Sequence, residues 1–115
     1  MHIVRFDQAP FYQSPGHTNM RMRRMQGMEA GPADLVWLGL SQVEPGGGIE
    51  ASASEVEKFY VVLDGEITLS NGTDEVVLQR WDTCRFAAGE PRILSNRTST
   101  AATVLLAMPL PQAQR

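Results

Sequence analysis

Glu57-Lys58-Phe59-Tyr60-Val61-Val62-Leu63-Asp64-Gly65-Glu66 is the stretch on which the reading of the fold turns. Lys58 to Leu63 is rich in β-branched and aromatic side chains, the composition of a strand. Asp64-Gly65 is a hairpin-type turn, and Glu66 to Ser70 supplies the returning strand. Along an extended chain side chains alternate between faces, so Lys58, Tyr60 and Val62 share one face and Glu57 takes the other.

Working outward, the same punctuation recurs. Asn71-Gly72 makes the next turn, with Glu75 to Gln79 after it. Thr83 to Phe86, Pro91 to Ser95 and Ala102 to Met108 have strand composition. Upstream, Met20 to Met25 reads as a first strand, ended by Gly27 and Gly31-Pro32. Asp34 to Ser41 reads as a second, closed by Pro45-Gly46-Gly47-Gly48. No segment holds a capped helical period; the best, Ala51 to Phe59, is short. Many short strands separated by Gly, Pro, Asn and Asp clusters define an all-β sandwich or barrel. Residues 20–108 are assigned to the barrel, 1–19 to an N-terminal arm and 109–115 to a C-terminal tail.

At 115 residues the chain fits one domain. No apolar run approaches the roughly 20 residues that span a bilayer, and the N-terminal residues lack the apolar core of a secretion signal. The expectation is a cytoplasmic protein with no membrane partner. A net charge of -3 gives no electrostatic reason to expect nucleic acid. The one basic run, Arg21-Met22-Arg23-Arg24, is expected to be a solvated strand edge. A single cysteine, Cys84, excludes an internal disulfide and a cysteine-based zinc cage, and it reads as a small core residue. His2 and His17 are the only histidines, and His17, in a Pro-Gly-His loop, is expected at a cavity mouth. Nine of the ten basic residues are arginine, which leaves Lys58 as the only lysine.

Two blocks then select the barrel. One is Pro45-Gly46 followed by Glu57 to Glu66; the other is Trp81-Asp82, Phe86-Ala87-Ala88-Gly89-Glu90-Pro91-Arg92 and Asn96. In order and spacing they resemble the two motifs of the cupin family, Gly-x5-His-x-His-x3-Glu-x6-Gly and Gly-x5-Pro-x-Gly-x2-His-x3-Asn. Gly46 and Gly65 fill the glycine positions of the first, and Gly89 and Asn96 fill positions of the second. Trp81 stands at the second motif's first glycine and Ala87 at its proline. The resemblance, to a small single-domain cupin of the cupin_2 kind, covers about residues 35–108. It implies a jelly-roll barrel, a double-stranded β-helix, with the motif side chains pointing into a cavity.

Such a barrel ordinarily holds a metal that serves a dioxygenase or isomerase, and here this chain departs from the pattern. Ser52 and Ser54 stand at the two histidine positions of the first motif, Lys58 at its glutamate, and Arg92 at the histidine of the second. Hydroxyls are poor neutral ligands, and an ammonium and a guanidinium in one cavity repel a divalent ion. No metal or other cofactor is expected; metal binding would need His17 and Glu57 to be recruited.

A cavity carrying Lys58 and Arg92 prefers an anion, because arginine presents a planar fork to a carboxylate. The expected ligand-binding set is Arg92, Lys58, Tyr60, Ser52, Ser54, Asn96 and His17, with Trp37, Phe86 and Met and Leu side chains as apolar walls. The competing reading has Lys58 or Arg92 filling a dead metal site in an ion pair with Glu57, Glu90 or another carboxylate. Three functions fit this set: a metal-independent cupin that binds a small carboxylate-bearing metabolite, a metal-free lyase or isomerase that uses Lys58 and Arg92 on a keto or hydroxy acid, or a non-catalytic scaffold. The sequence does not decide whether the protein is an enzyme. A homodimer is the expected assembly, with Met20, Met22, Met25 and Met28 packing across an interface made by the arm.

Overall fold

The computed structural model describes residues 1–112. Its nine strands are β1 (Phe11–Tyr12), β2 (His17–Gln26), β3 (Val36–Ser52), β4 (Lys58–Asp64), β5 (Ile67–Ser70), β6 (Glu75–Leu78), β7 (Thr83–Phe86), β8 (Arg92–Ser95) and β9 (Ala102–Pro109). Phe6–Gln8 and Met28–Ala30 each form a single turn of 3-10 helix. Strand pairing follows the order β6-β5-β8-β3-β9-β4-β7, with β2 also paired to β3 and β1 to β2. The fold is all-β, a nearly closed barrel, and among the described residues no helix is long and apolar enough to cross a membrane.

The long strand β3 replaces what the sequence suggests is a strand and a closing turn. Its first half pairs with β9 from Val36↔Pro109 to Val43↔Ala102, and its second half pairs with β8 at Gly48↔Ser95 and Ile49↔Leu94. Pro45 and Gly46 bend the strand rather than end it, so that one strand serves both sides of the barrel. The close approach that follows requires glycine: a Cβ on Gly48 would collide with the carbonyl oxygen of Leu94.

Strict alternation builds the core. Val43, Tyr60, Val62, Ala102 and Val104 point inward from adjacent strands and pack with Ile49, Ile67, Leu69, Phe86 and Leu94. Cys84, opposite Tyr60 in β7, packs against this cluster. Burial raises its thiol pKa and the Glu90 carboxylate raises it further, so it is a packing residue and not an activated nucleophile.

The N-terminal segment differs from the arm suggested by composition. Strand β2 starts at His17, three residues before the expected barrel boundary, and Phe11 and Tyr12 pair with Arg23 and Met22. Arg23 fastens the segment by donating to the carbonyls of Phe6 and Ala9 at 2.9 and 3.0 Å and by lying over the rings of Phe6 and Phe11. Met22 is buried, Met20 packs on the core and Met28 lines a pocket, so three of the four methionines pack within the chain. At the C-terminus β9 runs to Pro109 and Leu110 is buried; of the expected tail, residues 113–115 lie outside the described residues.

The motif glycines Gly46, Gly65 and Gly89 have φ of 79°, 79° and 80°. Trp81 has the same left-handed backbone, with φ 77°, although its side chain is 65% exposed and touches the Arg80 guanidinium instead of packing in the barrel. A non-glycine residue there carries about 1–2 kcal/mol of strain, against 0.4–1 kcal/mol for the extra freedom of unfolded glycine. Trp81→Gly is therefore expected to stabilise the protein by about 0.5–1 kcal/mol, read as a raised midpoint in urea with an unchanged slope. A lowered midpoint would mean that the indole makes contacts worth more than its strain.

Candidate ligand-binding site

At one end of the barrel lies an open pocket of about 590 Å³. Its floor comes from the inward faces of three strands. Lys58 and Tyr60 project from β4, Ser52 ends β3, and Arg92 opens β8 directly across from Ser52. Trp37, Leu106 and Met108 supply apolar wall, and Tyr12 to Ser14 and Pro109 to Gln112 also line the pocket. The two terminal segments that read as arms are thus pocket walls.

Among the described residues the pocket's charge is not balanced. Arg92 is 6% exposed, and its Nη2 donates to Ser52 Oγ at 2.7 Å, while its Nε and Nη1 are buried without a partner among the described residues. Lys58 is 4% exposed. Among the described residues the ion pairs are Arg21–Glu44, Arg24–Glu29, Arg85–Glu57 and Arg97–Glu75, and none involves Lys58 or Arg92. Neither carboxylate expected to neutralise the floor does so. Glu57 lies on the opposite face of the chain and pairs with Arg85 at 2.8 Å. Glu90 accepts from Asn71 Nδ2 at 2.8 Å and from the Ala87 amide at 2.9 Å, which fixes the turn before β8.

These surroundings set the protonation states. Burial, and then the Arg92 guanidinium, lower the Lys58 pKa to about 8. Tyr60 is pushed up to about 12, chiefly by burial and against the pull of Arg92, so its hydroxyl keeps its proton. His17 is lowered first by burial and then by the charges of Arg92 and Lys58, against its hydrogen bond to Pro15. Its Nδ1 lies 2.9 Å from the Pro15 carbonyl, which can only accept, so the proton sits on Nδ1 and Nε2 carries the lone pair.

Six of the seven residues expected to bind ligand, His17, Ser52, Ser54, Lys58, Tyr60 and Arg92, line this one pocket. Ser54 also ties down the loop before β4, donating to the Val56 carbonyl at 2.6 Å. Asn96 is placed elsewhere. It is 1% exposed, donates to the carbonyls of Val43 and Thr100, and accepts from Thr98, so its carboxamide is spent on the loop after β8. Phe86 packs edge-on against Tyr60 in the core and is not a pocket wall. Arg24, expected at a solvated edge, turns inward instead. Its guanidinium lies 3.6 Å from the Tyr12 ring centre and 4.3 Å from that of Trp37, is held by Glu29, and lines the pocket. Alternation within the basic run carries the signal: Arg21 and Arg23 take one face of β2, and Met22 and Arg24 the other.

A divalent metal does not fit this donor set. The four positions that would ligate it carry two hydroxyls and two cationic side chains, and Arg92 occupies the space with unpaired donors. Among the described residues no group of three or more His, Cys, Asp or Glu comes together. Glu57 faces away from His17's pocket, so the pair expected to be recruited for metal is not assembled.

A small barrel with a pocket at one end is the architecture of a cupin, and sequence comparison agrees. The family model for the cupin domain, Cupin_2, matches residues 39–108. The chain belongs to the cupin family. It is 40% identical over 114 residues, 99% of this chain and 98% of the relative, to a Mycobacterium tuberculosis protein named Beta-D-galactosidase Rv1717. Among solved structures, the polyketide cyclase RemF of Streptomyces resistomycificus superposes with a TM-score of 0.83 at 20% identity, covering 95% of this chain and 79% of that one. A predicted oxalate decarboxylase of Thermotoga maritima gives 0.80 at 20% identity, covering 95% and 99%. At these identities the two structures establish a shared fold.

Proposed function

We propose that this cupin binds a small carboxylate-bearing metabolite in the barrel pocket without a metal. The observation that carries the reading is Arg92: a guanidinium with two unpaired buried nitrogens on the wall of an open pocket. Leaving a buried charged donor unsatisfied costs several kcal/mol, and a carboxylate is the group whose two oxygens match the planar fork. Lys58 adds a second positive charge, Tyr60 a hydroxyl held protonated, and Trp37, Leu106 and Met108 an apolar flank for the ligand's carbon skeleton.

A panel of small carboxylates, with their amides and alcohols as neutral controls, tests this by thermal melting. Acids that fit are expected to raise the melting temperature in proportion to the logarithm of concentration. Iron, manganese, nickel and zinc salts are expected to leave it unchanged, and the purified protein to carry no stoichiometric metal. Stabilisation by a divalent metal, or by amides as much as by acids, would sink the reading.

The relative's name supports a second reading, action on a galactoside. Hydrolysis by the common route needs two carboxyl groups flanking the glycosidic bond, whereas Glu55 is the pocket's one carboxylate among the described residues. Release of nitrophenol from a nitrophenyl β-galactoside, lost in Glu55→Gln, would move this reading to first place.

A further inference from the structure

We propose that Lys58 forms an imine with a 2-oxo acid whose carboxylate is held by Arg92, a reading that rests on the anion pocket proposed above and names its substrate class. The amine has the placement this chemistry requires. It stands on the floor of a pocket large enough for a small acid, it is paired with no carboxylate among the described residues, and it shares its strand face with Tyr60. Arg92 lines the same pocket and its charge is felt at Lys58, so a small 2-oxo acid with its carboxylate on the Arg92 fork shares the pocket with the amine. With its pKa at about 8, roughly a tenth of Lys58 is free amine at pH 7, far more than for an ordinary lysine.

The step balances with the groups present. The Nζ lone pair of neutral Lys58 attacks the carbonyl carbon, and the C=O π pair moves to oxygen. Nε2 of neutral His17, whose Nδ1 proton is held by Pro15, takes the proton released by nitrogen. The alkoxide takes one proton from solvent to become a hydroxyl, and the proton held by His17 then passes to that hydroxyl, which leaves as water while the nitrogen lone pair closes a protonated C=N bond. Amine, carbonyl and one solvent proton are consumed, and the cationic imine and one water are formed, with no oxidant or reductant. The cationic C=N then withdraws electrons from the neighbouring carbon, which loosens its protons.

Only Lys58 and the α-amine of Met1 are primary amines in this chain, so the product's location is readable. The full chain is incubated with pyruvate and sodium cyanoborohydride, and intact mass is followed by peptide mapping; lactate, the same acid without a carbonyl, runs alongside. The expected result is one reduced pyruvate adduct on Lys58, absent in Lys58→Met and at least tenfold slower in Arg92→Met. Formation should quicken as pH rises through about 8, where Lys58, facing Arg92, His17 and Tyr60, loses its proton. Wild type should also exchange the methyl protons of pyruvate with deuterated solvent. An adduct confined to Met1, or none while pyruvate and lactate both raise the melting temperature, overturns the imine and leaves anion binding standing. If neither acid stabilises the protein and no Lys58 adduct forms, the imine and its pyruvate-sized substrate fall together, and the acid panel then decides the wider pocket reading.

Discussion

Replacing Arg92 with methionine is expected to make the ligand-free protein more stable by about 1–3 kcal/mol while weakening carboxylate binding at least thirtyfold. The two effects have one origin. Without ligand, the guanidinium keeps one hydrogen bond, to Ser52, and buries Nε and Nη1 with no partner. Exchanging a buried charge for an apolar side chain of similar length removes that desolvation cost, and such exchanges stabilise by about 1–4 kcal/mol where the charge is poorly paired. Ser52 is exposed and recovers its lost hydrogen bond from water. With ligand, the same substitution removes a fork-shaped donor from a desolvated carboxylate, a loss of about 2–5 kcal/mol, or thirtyfold upward. Urea unfolding of both proteins and calorimetric titration with the best acid from the panel separate the outcomes. A variant that is less stable and binds equally well would show that Arg92 merely fills a former metal site.

How much of this was legible in the sequence depended on distance along the chain. The face shared by Lys58, Tyr60 and Val62 follows from strand alternation alone, and the structure buries those three while leaving Phe59 exposed. Glu57 facing away follows from the same rule. The resemblance to the cupin motifs, and not any local rule, implies that Ser52, Ser54 and Arg92 share a cavity with Lys58, and all four line one pocket. What escaped was set by contacts between segments far apart. Asn96 fills a motif position, but whether an amide faces a cavity or ties a loop depends on the carbonyls that surround it, here those of Val43 and Thr100. Tyr12 and Gln13 carry no local pattern, and they reach the pocket only because β1 pairs back onto β2. Arg24 has a clear alternation signal, masked by neighbouring charges that suggest a solvated surface. Pro45 and Gly46 read as a stop, yet in β3 they bend a strand that has partners on both sides of the bend.

Lys58 makes the protein's stability and its affinity respond to alkali in opposite directions. Its pKa is about 8 in the folded chain and 10.5 in the unfolded one. Below pH 8 both states hold the proton and the folded state bears the full cost of a buried ammonium beside Arg92. Between about pH 8 and 10.5 the unfolded chain binds more protons than the folded one, so the stability of the ligand-free protein rises with pH. The gain expected is about 2 kcal/mol, because the pocket's solvent screens part of the charge. Tyr60 acts the other way only above pH 10, since the folded state keeps a proton there that the unfolded state has lost. His17, lowered from 6.5, acts only on the acid side, where the unfolded chain takes up its proton first. Cys84, whose thiol is held above its ordinary value of 9.0, opposes part of the rise from about pH 9, so the difference between wild type and Lys58→Met from about pH 8 to 10 reports on Lys58. Over the same interval the pocket loses one of its two floor cations, and affinity for a carboxylate should fall by up to about tenfold per pH unit. Urea midpoints and titrations at matched ionic strength follow both curves. Lys58→Met is expected to abolish the rise in stability and the loss of affinity together, and a rise that survives this substitution would move its source away from the pocket floor.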